Sequence, residues 1–269
     1  GPTELALSDD AAERFRSYGW HVENVGEIGE DIDALEAAVI RAKAIDGKPS
    51  LIVLRSHIGF PSAKFTDTAH AHGNPFGVEE IAATKALMGM PDEAFWNPED
   101  VLEHMRAAGT RNRPAREAWY SMYENWTENK PVLDAVLEGR GLEGWKDALP
   151  TWEPGESVAT RAAGKKVLNA LAPVVPGLMG GGADLTGNCG VELDGAEPFS
   201  RLNRDGRQIH FGVREHAMGS VMNGMAAHGG IIPFGGTFFV FADYMRPPVR
   251  LAALSDLHVI YSWTHDSIG

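Results

Sequence analysis

The stretch from residue 210 to residue 245 constrains this chain more than any other. An Arg214-Glu215-His216 cluster follows Gly212 and opens a segment with helical pitch. Ala217, Ser220, Gly224 and Ala227 recur at steps of three and four, so they share one helix face. That face is made of small residues, which allows another backbone to come very close. At its head stands Glu215, a carboxyl group placed to lose its water and suited to hold or pass a proton. A short apolar run follows, then Gly235-Gly236-Thr237 read as a turn, then Phe238, Phe241 and Tyr244 at helical spacing. Three such rings can wall one flat ligand. A carboxyl, a close helix contact and an aromatic wall together suit a nitrogen heterocycle better than a plain core.

The rest of the chain limits what that ligand site can belong to. A length of 269 residues is enough for a sizeable core and more than one domain. A net charge of −13 disfavours nucleic-acid and anionic-membrane binding, while local basic residues leave room for a phosphorylated small molecule. The single cysteine, Cys189, excludes an internal disulfide and fits a reducing compartment. No apolar run reaches about 18 residues and no signal-like start is visible, so a cytoplasmic protein is expected. Gly1-Pro2 fits a protease scar and natural sequence equally. The chain stops just after an apolar strand, where a functional loop would begin, and so reads as a piece of something longer.

Taken in order, the pattern is α/β. Ala11–Ser17 predicts a short helix and residues 19–22 the start of a strand. Asp31–Ile45 predicts an amphipathic helix with Ile32, Leu35, Val39 and Ala42 on its inner face, closed by Gly47-Lys48-Pro49. Ser50–Arg55 is a continuous apolar strand of the kind buried on both faces of a parallel sheet. Strand, helix, strand argues for a right-handed α/β unit. The polar loop 56–77 carries His57, His70 and His72, and loops after parallel strands are where such folds keep ligands. The His70-Ala71-His72 pair has no cysteine or carboxylate beside it, so hydrogen bonding to a polar substrate or plain hydration outweighs a metal site. Residues 79–88 and 99–108 predict further helices.

From residue 111 to 156 the character changes, with Trp119, Trp126, Trp145 and Trp152 among charged segments and prolines. This predicts a surface linker packed through its aromatics. Ser157 is expected to cap a helix running to about Leu171, which places the cation Arg161 in the first turn, where the helix dipole disfavours it unless an anion sits nearby. Gly177–Ala183 predicts a glycine-rich strand ending at Asp184, residues 189–207 an irregular loop, 246–254 a helix and 257–263 another buried strand. Gly180-Gly181-Gly182 lacks the spacing of a dinucleotide fingerprint.

With these residues in hand, the chain resembles the transketolase family in its bacterial form. The matching strings are His72-Gly73-Asn74-Pro75-Phe76-Gly77, Ala159-Thr160-Arg161, Gly181-Gly182-Ala183-Asp184-Leu185 and Phe211-Gly212-Val213-Arg214-Glu215. Thr237-Phe238 through Phe241, Tyr244-Met245-Arg246 and Tyr261 through Gly269 complete the set, over nearly the whole chain. The resemblance implies doubly wound parallel sheets of the thiamine diphosphate-binding fold and transfer of a two-carbon ketol unit from a ketose phosphate to an aldose phosphate. It implies that Glu215 hydrogen-bonds the aminopyrimidine and favours the tautomer that generates the thiazolium ylid. It further implies that Phe238, Phe241 and Tyr244 hold the pyrimidine, that Asp184 lies near the cofactor, and that Arg161 grips substrate phosphate. His72 and His265 match histidines that contact sugar hydroxyls and assist proton transfer. The family is a homodimer with cofactor between subunits.

Two departures qualify the resemblance. Thr186-Gly187-Asn188-Cys189 stands where the family has a phosphate-binding serine, so no residue there is assigned. The Gly-Asp-Gly…Asn element that binds Mg2+ and diphosphate is not in these residues, so the metal ligands are expected outside this chain and the 269 residues alone are expected to be inactive. The implied domains are 1–108, the end of the diphosphate-binding domain; 109–156, a linker; and 157–269, an incomplete pyrimidine-binding domain. The rival readings are a related thiamine-dependent transferase, such as dihydroxyacetone synthase or deoxyxylulose-phosphate synthase, and a non-catalytic subunit docking on a chain that carries the diphosphate site.

Overall fold

A computed structural model describes residues 3–266, so Gly1-Pro2 and the Ser267-Ile268-Gly269 end of the last matching string lie outside the described residues. The chain divides into two compact units, Gly1–Arg113 and Pro114–Gly269.

In the first unit α1 (Ala11–Ser17), β1 (His21–Gly26), α2 (Ile32–Lys43), β2 (Ser50–Leu54), α3 (Val78–Leu87) and α4 (Glu99–Arg111) follow in order. Asp10 and Asp31 start the first two helices, their carboxylates accepting the backbone N–H of Glu13 and Ala34. β1 and β2 pair in parallel across α2, giving a two-stranded sheet. Two sequence expectations are corrected here. β2 is only half-buried, and Leu54 is 39% exposed, because in a two-stranded sheet each strand is an edge. The inner face of α2 is also rotated from the one expected. Ala38 is fully buried, with Ala34, Leu35 and Ala42 half-buried beside it, while Ile32 and Val39 are 67% and 42% exposed. Alanines bring the helix close to β1 and β2 with Leu35 beside them, while Ile32, Val39 and Ile40 turn outward.

The segment after Arg111 is helical: α5 (Arg113–Glu124) and α6 (Lys130–Leu137). From Pro114 onward it groups with the second unit. Trp119 stacks on Tyr123 with centroids 5.1 Å apart, and the Leu142 N–H donates to Val174 O at 2.8 Å. The second unit continues with α7 (Thr160–Leu171), β3 (Leu178–Gly182), β4 (Gln208–His210), α8 (Glu215–His228), β5 (Ile232–Phe238), α9 (Arg246–Leu254) and β6 (Ile260–Thr264). Ser157 does not cap α7: the helix begins at Thr160 after an extended Ala159, with no side-chain cap.

The four strands are all parallel in the order β4-β3-β5-β6. The chain therefore leaves β3 to one side for β4 and returns to its other side for β5. Such a reversal opens a crevice at the carboxyl ends of the strands, the usual ligand position in open α/β sheets.

Gly235-Gly236-Thr237, expected as a turn, is part of β5, which is paired on both sides. Alternation along a strand sends successive residues to opposite faces. Gly235 meets the Met218 and Met222 sulfurs of α8, and Gly236 on the other face meets Val191 and Cys189. The glycines make room for side chains from both layers. One face of the sheet holds Val175, Leu178, Cys189, Val191, Leu193, Ile232 and Phe234. The other holds Ala183, Met218, Met222 and Met245.

Close packing also explains the glycine run of β3. A Cβ on Gly180 would lie 1.8 Å from the Phe234 carbonyl oxygen, and one on Gly181 1.9 Å from that of Ile209. The long irregular segment before β4 is pinned by two side chains. Buried Gln208 accepts the Leu193 N–H and donates to the carbonyls of Gly180 and Val191. Arg207 donates to the carbonyls of Ala172, Val175 and Leu178.

Candidate functional site

Most of the side chains singled out in the sequence collect at the carboxyl edge of the four-stranded sheet. Glu215 is the first residue of α8 and is 8% exposed. A carboxylate in a first helical turn is favourably placed with respect to the helix dipole. Its Oε1 accepts a hydrogen bond from Thr237 Oγ1 at 3.3 Å, and its Oε2 has no hydrogen-bond partner among the described residues.

The residue after Thr237 begins the aromatic column. β5 ends at Phe238 and passes into a 3-10 helix, Phe239–Met245. With three residues per turn, side chains at i and i+3 eclipse one another. Phe238 and Phe241 accordingly lie nearly parallel, with centroids 6.2 Å apart and 14° between planes. Phe241 and Tyr244 repeat the arrangement at 6.1 Å and 23°. The expected wall forms, though by 3-10 rather than α-helical spacing.

His265, just past β6, sets its ring edge-on to Phe238 at 5.3 Å. Its Nε2 lies 3.1 Å from Arg161 Nη1, at the head of α7. Arginine can only donate, so Nε2 is the acceptor in this contact. The cation in the first turn of α7 thus rests on an imidazole and faces outward, open to an anion. Asp184, two residues past the end of β3, is exposed and adopts a left-handed backbone, φ 64°, an uncommon conformation of the kind that clusters at functional sites. Cys189 is buried and accepts a hydrogen bond from Thr264 Oγ1 at 3.4 Å. Burial pushes its thiol up, against the smaller opposing influences of Thr264 and Arg161.

His72 belongs to the first unit, exposed at the end of the 3-10 turn Ala69–His72, with no hydrogen-bond partner among the described residues. In the same loop His70 stacks on Phe65 at 4.2 Å and His57 pairs with Asp67 at 2.8 Å. No cluster of three or more His, Cys, Asp or Glu side chains able to hold a metal occurs among the described residues. An open cleft of about 970 Å³ beside Pro131, Arg140 and Trp145 is lined by none of the side chains gathered at the sheet edge.

The family model described as the transketolase thiamine diphosphate binding domain matches residues 1–144. The chain belongs to the transketolase family. A second model, the transketolase pyrimidine binding domain, matches residues 156–269. The chain is similar to the transketolase of Mycobacterium tuberculosis, 45% identical over 282 residues, covering 99% of this chain and 40% of that protein. Among solved structures it is similar to a Pichia stipitis transketolase complexed with sedoheptulose 7-phosphate. There the TM-score is 0.91 at 36% identity, covering 99% of this chain and 41% of that one. It is likewise similar to the Leishmania mexicana transketolase, with TM-score 0.89, 38% identity and coverage of 99% and 40%. The chain thus spans about two-fifths of the length of the relatives it matches.

The transketolase cofactor is thiamine diphosphate, and the residues at the sheet edge fit its heterocyclic half. A nearly parallel column of three rings offers flat contact area, and a carboxyl oxygen without a partner offers an acceptor for a ring nitrogen or its proton. Sequence reasoning missed Thr237, a polar side chain with no exposed surface. The signal was available in the alternation of Gly235 and Thr237 against Gly236 and Phe238, and reading these residues as a turn concealed it.

Proposed function

We propose that the protein containing this chain is a transketolase, moving a two-carbon ketol unit from a ketose phosphate to an aldose phosphate. The single observation that supports this most is the joining of Glu215 to the aromatic column through consecutive residues of β5. Thiamine diphosphate, when bound, supplies a carbon nucleophile and an electron sink for cleaving the bond beside a ketose carbonyl. Phe238, Phe241 and Tyr244 orient its pyrimidine ring and exclude water from one side. Glu215 holds or accepts a proton at a pyrimidine nitrogen through Oε2. Arg161 and His265, already in contact, are the pair that would meet a substrate phosphate or a neighbouring hydroxyl, and His72 would meet sugar hydroxyls. Asp184 lies beside the cofactor. These residues hold no diphosphate or Mg2+ ligands assigned by motif, so that half of the site belongs to other segments, and the 269 residues alone are expected to lack activity.

In this reading residues 1–108 form the end of the diphosphate-binding domain, 109–156 the linker and 157–269 the pyrimidine-binding domain. A homodimer is supported by α8, where Ala217, Ser220, Gly224 and Ala227 are all exposed and Gly224 has nothing within 4 Å of a Cβ position. A cytoplasmic location is supported by the one cysteine being buried and free, which fits a reducing compartment.

The test is a two-carbon transfer assay on the active enzyme that contains this chain, with xylulose 5-phosphate as donor and ribose 5-phosphate as acceptor. Formation of a seven-carbon ketose phosphate, dependent on thiamine diphosphate, is the expected outcome. Transfer only to formaldehyde, or condensation with loss of carbon dioxide, would assign the chain to a related thiamine-dependent transferase. No reaction with any sugar phosphate would overturn the proposal.

A further inference from the structure

Thr237 has no exposed surface, yet it carries a hydroxyl. A buried hydroxyl is retained at a cost unless it is hydrogen-bonded, and its one side-chain partner among the described residues is Glu215 Oε1, at 3.3 Å. Three features fix the direction of that bond. β5 is an inner strand, and Thr237 stands in register opposite Trp263 of β6, so its backbone is held by a paired neighbour. Threonine is branched at Cβ and therefore stiff about χ1. Alternation places Thr237 on the same face as Gly235, the face packed by Met218 and Met222 of α8. Glu215 heads that same helix, one turn before Met218. The strand thus delivers a rigid donor to one carboxyl oxygen and leaves the other without a partner.

We propose that Thr237 is a positioning residue: its hydroxyl occupies Glu215 Oε1 and presents Oε2, in a single orientation, to the pyrimidine nitrogen of the cofactor. This rests on the reading of Glu215 given above. A carboxyl free to rotate would offer either oxygen at a range of angles. One pinned from below offers a single acceptor in a fixed plane, which is the condition for efficient proton exchange with a positioned ring. The same bond makes Glu215 and Thr237 one functional unit, so their substitutions should not be additive.

The experiment is a double-mutant cycle in the active enzyme, using Thr237→Val, Thr237→Ser, Glu215→Gln and the Thr237→Val/Glu215→Gln pair. Turnover, sugar KM, the thiamine diphosphate dissociation constant by calorimetry, and the thermal midpoint are measured for each. Thr237→Val is expected to lower kcat about tenfold, the scale of one hydrogen bond, with sugar KM unchanged and cofactor affinity weakened several-fold. Thr237→Ser, which restores the hydroxyl, should recover kcat to within about threefold. In the Glu215→Gln background Thr237→Val should cause no further loss. Full additivity, or equal losses in Thr237→Ser and Thr237→Val, would show that Thr237 acts through packing alone and would overturn the proposal. If Thr237→Val does not fold, the serine variant and its cycle with Glu215→Gln decide: loss of kcat in the serine variant, still present in the glutamine background, counts against positioning. Failure of the Glu215 reading looks different, because Glu215→Gln would then turn over normally by itself.

Discussion

The two units of this chain use the same strand–helix–strand grammar and reach opposite degrees of burial. Among the described residues of the first unit, only Ala12, Ala38 and Ser62 are buried, and Ile32, Val39, Ile40, Leu54 and Ile58 stand out to solvent. The second unit has four parallel strands, a covered sheet with a cluster on each face, a buried Phe234, and Met218, Met222 and Met245 without exposed surface. Within these residues the difference follows the strand count, two strands that are both edges against four. A core needs a central strand with layers on both sides, and only β3 and β5 have neighbours on both edges. The carboxyl of Glu215 and the aromatic column sit at the carboxyl edge of the four-stranded sheet.

The sharpest way to break this comparison is to make one substitution in both units. Gly181→Ala places a Cβ 1.9 Å from the Ile209 carbonyl oxygen and should destabilise the second unit by about 4 kcal/mol or more, seen as loss of its transition in urea unfolding. Gly109→Ala, inside α4 with open space around it, should stabilise the first unit by about 0.5–1 kcal/mol. A single common transition shifted by both substitutions would mean that the two units unfold as one. Next in size, Met218→Ala should cost about 2–5 kcal/mol, because a fully buried side chain leaves a cavity against Gly235. The matching Ile32→Ala should stay within about 0.5 kcal/mol, measured the same way.

The smallest effect is electrostatic and belongs to the first unit. The hydrogen bond and charge of Asp67 hold His57 above its ordinary value of 6.5, against a smaller opposing influence of desolvation. Its stabilising contribution is therefore complete below pH 6.5 and lost as pH rises through the raised folded value. Asp67→Asn should flatten that pH dependence of the first transition and leave the second unchanged. A flattened second transition would break the division.

Where local rules decide the outcome, the sequence was readable. Asp10 and Asp31 mark the starts of α1 and α2, and the boundaries of α1 and α9 coincide with those expected from pattern. What it concealed were the faces. In α2 the inner face is built on Ala38 with Leu35 and Ala42, while Ile32 and Val39 of the expected face point to solvent. In α8 the expected small-residue face of Ala217, Ser220, Gly224 and Ala227 is exposed, while Glu215, Met218, Gly219 and Met222 turn inward. Periodicity finds a stripe but not what packs against it, and Gly219 packs on Pro248 from a helix that begins beyond the next strand. The same limit hid Thr237, since two glycines before a threonine read locally as a turn and become a central strand only because Met222 and Val191 fill the space above and below them.

The central claim is that Glu215, held at the edge of the four-stranded sheet, is the proton-handling group of a thiamine-dependent site. Its most direct test is kcat of Glu215→Ala against the unsubstituted enzyme, with the thermal midpoint taken alongside. The account predicts a loss of about 10²–10⁴-fold in turnover with the fold intact. Near-normal turnover in a folded variant would contradict it.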